Sequence, residues 1–86
     1  MRIFFNAYFK KKYRKLEKKL QLQAKNRIFS FTKNPCDPQL RNHALQGKYK
    51  GYSSINITGD YRAIYYMIEK DIAEFTDIDT HEKLYG

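Results

Sequence analysis

Apolar residues in the first third of the chain recur at helical spacing, and those in the last third alternate. Phe9, Tyr13, Leu16 and Leu20 follow one another at intervals of four, three and four, and Leu20, Ala24, Ile28 and Phe31 continue the stripe. Lys10, Lys11, Lys12, Arg14, Lys15, Lys18 and Lys19 fill most of the positions between. Upstream, Arg2 to Phe5 is a short run of strand character, and Asn6 reads as a helix N-cap. A single helix over residues 6–32 would be about 40 Å long, whereas a compact domain of this size is only about 25–30 Å across. The stripe therefore predicts a helical hairpin broken near residues 17–21, although no Gly or Pro stands there. Asn34-Pro35 ends the second helix. Residues 36–50, punctuated by Pro38 and Gly47, read mostly as loop.

Beyond residue 51 the period changes to two. Tyr52 to Ile57, Tyr61 to Ile68 and Ile72 to Ile78 read as strands, separated by turns at Thr58-Gly59-Asp60 and Glu69-Lys70-Asp71. The order β-α-α-β-β-β predicts an α+β fold, a small mainly antiparallel sheet with the N-terminal helical hairpin on one face. The turn length fixes a register. A three-residue loop at 58–60 sets Ile57 opposite Tyr61, Asn56 opposite Arg62 and Ile55 opposite Ala63. Ile55, Ile57, Tyr61, Ala63 and Tyr65 then share one apolar face. A two-residue loop would put Arg62 beside Ile55 and spoil it. The favoured register leaves Asn56 and Arg62 together on a polar, open face.

Composition narrows the class. The chain of 86 residues predicts a single domain over 1–86. Its one cysteine, Cys36, cannot form an internal disulfide, and a lone thiol suits a reducing, cytoplasmic setting. No 18-residue apolar window occurs, so neither a signal peptide nor a membrane span is expected. The net charge of +8 is divided unevenly. Residues 1–50 carry fourteen basic and two acidic side chains, residues 51–86 three and seven. A basic half of that kind points to a polyanion, whether nucleic acid, an anionic membrane or an acidic partner, unless it is simply a solvated helical face.

Candidate chemistry is sparse. His43 and His81 are the only histidines, and with Cys36 they show no ligand spacing, so no metal is expected. Phosphate-loop, dinucleotide-binding and hydrolase-elbow motifs are absent. The segments around the histidines say more. They run His43-Ala44-Leu45-Gln46-Gly47, Lys50-Gly51-Tyr52, Gly59-Asp60-Tyr61-Arg62-Ala63-Ile64-Tyr65 and Asp79-Thr80-His81-Glu82-Lys83-Leu84-Tyr85-Gly86. In order and spacing they resemble the RelE/ParE superfamily of bacterial toxins, and within it the RelE/StbE, YafQ-like mRNA interferases. The resemblance spans the chain and is specific from residue 43 onward.

The resemblance implies a RelE-like fold and a ribosome-dependent endoribonuclease that cuts mRNA in the ribosomal A site without metal or other cofactor. The 2′-hydroxyl of one nucleotide would attack the next phosphate. Such a reaction needs a base, an acid and positive charge for the phosphorane. The family's motif positions fall on His43, Asp60, His81 and Tyr85. His81 becomes the principal proton-transfer residue with Asp60 as its counterpart, and His43 a second acid–base or phosphate contact. Arg62 takes the place of a transition-state arginine, and Tyr85 would stack on a base or orient His81. Lys48, Lys50 and Asn56 are the expected RNA contacts. Asn56 stands where YafQ-like members often have His, and Asp79 where Gly is usual. The implied partners are the ribosome, mRNA and an acidic antitoxin protein. Plainer readings stand beside these: Asp60 as a turn residue, or Arg62 paired with Glu74 or Asp77 across the sheet. Rival functions are a ParE-like gyrase inhibitor on the same scaffold and a non-catalytic RNA-binding module. For the latter, residues 50–57 resemble the start of an RNP1 box but place Ser54 where a stacking aromatic is needed.

Overall fold

A computed structural model describes residues 1–85. Strand β1 (Arg2–Phe5) leads into α1 (Ala7–Arg14) and α2 (Lys18–Lys33). Two 3-10 turns, Pro38–Leu40 and Gly47–Tyr49, flank the short β2 (His43–Ala44). Then come β3 (Ser53–Asn56), β4 (Tyr61–Glu69), β5 (Ile72–Thr80) and a closing helix α3 (His81–Tyr85).

The expected hairpin of helices is present, with its break slightly earlier than the stripe predicts. Asn6 caps α1 through a 2.7 Å bond from the Phe9 N–H to its side-chain oxygen. Helix α1 stops after Arg14, and α2 begins at Lys18. A side chain from α2 does what Gly or Pro would otherwise do. The Gln21 amide donates to the carbonyls of Tyr13 and Leu16 at 3.0 and 3.1 Å, and the Tyr13 hydroxyl returns a bond to the Gln21 carbonyl at 3.0 Å. These bonds satisfy the carbonyls that a helix end leaves orphaned.

The sheet has five strands in the order β1-β5-β4-β3-β2. The three C-terminal strands form the expected antiparallel meander, and its register is the one the turn length predicts. Asn56 lies opposite Arg62 and Ile55 opposite Ala63, with the Ile57 N–H bonded to the Tyr61 carbonyl at 2.9 Å. Two further strands extend it: the expected β1, and β2, which the sequence does not show. β1 joins β5 in parallel, Arg2 against Ile72, and His43–Ala44, read as loop, adds an antiparallel edge to β3.

Helices α1 and α2 cover one face. Phe9, Leu20, Ala24, Ile28 and Phe31 meet Ile55, Ile57, Ala63, Tyr65, Phe75 and Ile78, all buried, with Tyr61 partly so. The opposite face is not wholly polar, as the sequence reading had it. A second cluster of Leu45, Ile64 and Leu84, flanked by Tyr49, Tyr52 and Tyr85, covers part of it. Leu84 comes from α3, which the sequence reading lacks because five residues are too few to show a helical period. The part left open carries Asn56 and Arg62.

Candidate active site

The open part of the sheet is a hollow of about 290 Å³ lined by Arg41, His43, Asn56, Arg62, His81 and Tyr85. Each side chain arrives by a different local device. Asn56 and Arg62 are cross-strand partners on β3 and β4, so their side chains emerge side by side. One terminal nitrogen of Arg62, Nη1, donates to the carbonyls of Thr58, Gly59 and Tyr61, each at 3.2 Å. The turn thus fixes the guanidinium through one nitrogen and leaves its other donors for a ligand. Arg62 pairs with neither Glu74 nor Asp77: Glu74 accepts the Tyr66 hydroxyl at 2.8 Å, and Asp77 is bound to Lys12.

His43 sits on β2, with Nδ1 2.7 Å from the Arg41 carbonyl oxygen. A carbonyl can only accept, so Nδ1 carries the proton, and in the neutral ring Nε2 is the free base. His81 opens α3. Its backbone N–H donates to the Asp60 carbonyl at 2.8 Å, and Thr80 Oγ1 caps the turn by accepting from the Lys83 N–H at 3.2 Å. The Tyr85 ring stands edge-on to the imidazole, 4.7 Å between centroids. It also meets the Tyr49 ring, at 5.9 Å and 90°. The Tyr85 hydroxyl is buried with no hydrogen-bond partner among the described residues. Tyr85 therefore offers the site its ring and not its hydroxyl.

Some expected residues lie elsewhere. The link from Asp60 to His81 is through the main chain, and Asp60 is exposed and does not line the hollow. Lys48 lies over the Tyr49 ring at 5.3 Å, and both Lys48 and Lys50 are exposed outside the hollow's lining. The sequence reading overlooks Arg41. Its backbone, at φ 46° and ψ 43°, is left-handed, a conformation uncommon for a residue other than Gly or Asn. No spacing rule shows that, although its position two residues before His43 brings both into one wall.

The sequence model described as "Bacterial toxin of type II toxin-antitoxin system, YafQ" matches residues 1–86. The chain belongs to this family. No curated protein matches the toxin's sequence significantly. Among solved structures, YafQ from E. coli superposes with a TM-score of 0.78 at 22% identity, covering 100% of both chains. The DinJ-YafQ toxin-antitoxin complex of E. coli gives 0.76 at 22% identity over 98% of this chain and 96% of that one. The YoeB-YefM complex of Staphylococcus aureus gives 0.75 at 18% over 94% and 97%. The toxin thus has the RelE-like α+β fold expected from its sequence motifs.

Two features of the toxin complete the electrostatic picture. Lys12 of α1 bridges Asp77 and Asp79 of β5 at 2.6 and 2.8 Å, the two ion pairs found among the described residues. Burial works against the charge of Asp79, but the Lys12 ammonium and the Thr80 N–H outweigh it and hold the carboxyl below its ordinary pKa. Burial likewise opposes the Lys12 charge, and the two carboxylates outweigh it and hold Lys12 above its ordinary value. Asp77 and Asp79, on the strand that pairs with Arg62, are thereby matched with a cation that does not line the hollow. Among the described residues no three His, Cys, Asp or Glu converge so as to hold a metal ion, and no helix is long and apolar enough to cross a membrane.

Proposed function

We propose that this toxin is a ribosome-dependent mRNA endonuclease that cuts the message by attack of a 2′-hydroxyl on the adjacent phosphate. The observation that carries the reading is the convergence of two imidazoles, two guanidiniums and an amide on one hollow. Neutral His43, with Nε2 unprotonated, takes the 2′-hydroxyl proton as the oxygen attacks phosphorus. Arg62, with Arg41 beside it, holds the nonbridging oxygens as charge builds on the phosphorane. Protonated His81 gives its proton to the departing 5′-oxygen. The products are a 2′,3′-cyclic phosphate and a 5′-hydroxyl. His81 keeps the principal role its motif implies, and His43 replaces Asp60 as its counterpart because His43 shares the hollow. Asn56 moves no proton near neutrality but can donate to a phosphate or ribose oxygen. The Tyr85 ring holds the His81 imidazole in place.

The partner that restrains the toxin is an acidic antitoxin. A groove of about 390 Å³ between β1 and the helices supports this. Phe5, Phe9, Tyr13 and Ile28 line it, and Lys10, Arg14 and Lys25 complete its lining. Such a surface fits an amphipathic segment with apolar anchors and acidic flanks.

The test is cleavage of a labelled message on programmed ribosomes, with free mRNA as control. Cleavage in the A site that needs ribosomes and falls at least about a hundredfold in His81→Ala, within the range of general acid–base catalysis, supports the reading. No cleavage by folded wild-type protein overturns it and turns attention to gyrase or to RNA binding without catalysis.

A further inference from the structure

A second hollow adjoins the first. It encloses about 360 Å³ and shares Arg41, Asn56 and Arg62 with the first, adding Arg27, Gln39 and the turn Thr58-Gly59. Three guanidiniums therefore face one space from three parts of the chain: α2, the segment between Leu40 and β2, and β4. No Asp or Glu lines it. Asp77 and Asp79 of β5 are engaged by Lys12 instead.

The three arginines are placed, not merely nearby. Arg27 Nη1 donates to the Gln39 side-chain oxygen at 2.7 Å. Arg62 is anchored on the turn carbonyls through Nη1 alone. Arg41 sits in the left-handed conformation, fixed on one side by its N–H bonding the Pro38 carbonyl at 3.3 Å and on the other by its carbonyl bonding His43. A side chain other than Gly or Asn is strained there, and strain of that sort tends to mark functional segments. Like charges gathered without a counter-charge repel one another, and an anion relieves the repulsion.

We propose that this second hollow seats the RNA phosphate next along the strand from the one that reacts. The proposal rests on the nuclease reading and extends it from one phosphate to two. Phosphate suits the seat better than a carboxylate does. Forked donors arriving from several directions match the several oxygens of a tetrahedral anion, and the shared wall of Arg41, Asn56 and Arg62 makes the two hollows one continuous track for a phosphodiester backbone. Arg27 belongs to this seat alone, so it separates the second phosphate from the first.

The experiment measures binding of fluorescent 2′-deoxy oligonucleotides, which cannot be cleaved, as a function of length and salt. The proteins are wild type, Arg27→Gln, Arg27→Lys and Lys25→Gln. The last removes the same charge from the same helix, at a residue that lines the apolar groove instead. Wild type should gain affinity when the strand lengthens enough to fill both hollows. Arg27→Gln should lose that gain, roughly tenfold, as expected for one charge-assisted contact, and its log–log salt slope should fall by about 0.7. A dinucleotide with a single phosphate should bind Arg27→Gln as it binds wild type. Lys25→Gln should stay within about twofold of wild type at every length. Arg27→Lys keeps the charge without the fork and should fall between, which preserves the test if the glutamine variant does not fold.

Equal losses in Arg27→Gln and Lys25→Gln would reduce the effect to bulk charge and overturn the proposal, as would a loss independent of length or no oligonucleotide binding at all. A glutamate peptide of matched charge whose affinity depends on Arg27 as strongly would also overturn it, showing a carboxylate seat. The length pattern without any ribosomal cleavage would sink the nuclease reading and leave the seat standing; cleavage without the pattern would do the reverse.

Discussion

Replacing Lys12 by Met tests the electrostatic frame of the site most directly. The ammonium makes two short bonds, 2.6 Å to Asp77 and 2.8 Å to Asp79, and the three side chains are only 22%, 16% and 19% exposed. Pairs on an open surface contribute about 0.2–1 kcal/mol, and charge-assisted bonds away from water about 1.5–3 kcal/mol. At one-fifth exposure, about 1 kcal/mol for each bond is a fair middle value. Lys12→Met should therefore destabilise the toxin by about 2 kcal/mol and lower Tm by roughly 10 °C. The pH dependence follows from the directions of the shifts. Asp79 is depressed in the folded state, so its contribution is present above the ordinary carboxylate pKa of about 4 and disappears as pH falls through the lower folded value. Lys12 is raised, so its contribution is complete below about pH 10 and disappears above the folded value. Thermal melts of the two proteins should thus differ by a constant amount from about pH 5 to pH 9 and converge in acid. A difference below about 2 °C at neutral pH, or one as large at pH 3 as at pH 7, would refute this account. The same substitution has a consequence in the pocket. Asp79 lies directly opposite Arg62 across β4 and β5, so without Lys12 it is free to capture the guanidinium. Ribosomal cleavage should fall in Lys12→Met and recover in Lys12→Met/Asp79→Asn, but not in Lys12→Met/Asp77→Asn, which carries the same net charge.

Further outcomes follow from single side chains. Tyr85→Phe removes a buried hydroxyl with no partner among the described residues and should leave Tm unchanged or raise it by a few degrees, with cleavage retained; Tyr85→Ala, which takes the ring from His81, should lose cleavage, and a Tyr85→Phe variant as inactive as Tyr85→Ala would show that the hydroxyl acts. Asp60→Ala should cleave within about threefold of wild type, since the bond to His81 comes from its carbonyl; a loss comparable to His81→Ala would return the carboxylate to the chemistry. Gln21→Ala removes the side chain that closes α1 and should cost about 1–2 kcal/mol, read as a lower midpoint in urea, while an unchanged midpoint would mean that water satisfies those carbonyls equally well.

What the sequence revealed depended on the range of the interactions involved. The register of β3 and β4 was legible because one turn length and one apolar face determine it together, and it placed Asn56 beside Arg62. Both helices were legible from their stripe. Their junction was misplaced because Gln21, reaching back over α1, ends the helix without Gly or Pro. The pairing of β1 with β5 joins distant segments, and no local pattern announces it. The motifs single out His81, His43 and Arg62, which the fold brings to one hollow, yet the motif containing Asp60 cannot tell a carboxylate from a main-chain carbonyl as the group that meets His81. Arg41 and Arg27 carry no signal at all among five arginines; only the folded chain shows that they share a wall with Arg62.

The parallel pairing of β1 with β5 also bears on how the chain comes together. Arg2 waits for Ile72, and the stripe of α1 and α2 waits for Phe75 and Ile78. Both basic helices are thus synthesised before the strand that seats them. A growing chain that has not reached β5 carries an amphipathic hairpin with its apolar side uncovered and a first strand with no partner. Contacts this distant in sequence slow folding. His81 follows immediately after β5, so the same stretch of chain that closes the core also delivers the second imidazole. Core closure and pocket completion are therefore one event, and fragments that stop short of β5 should carry no partial activity.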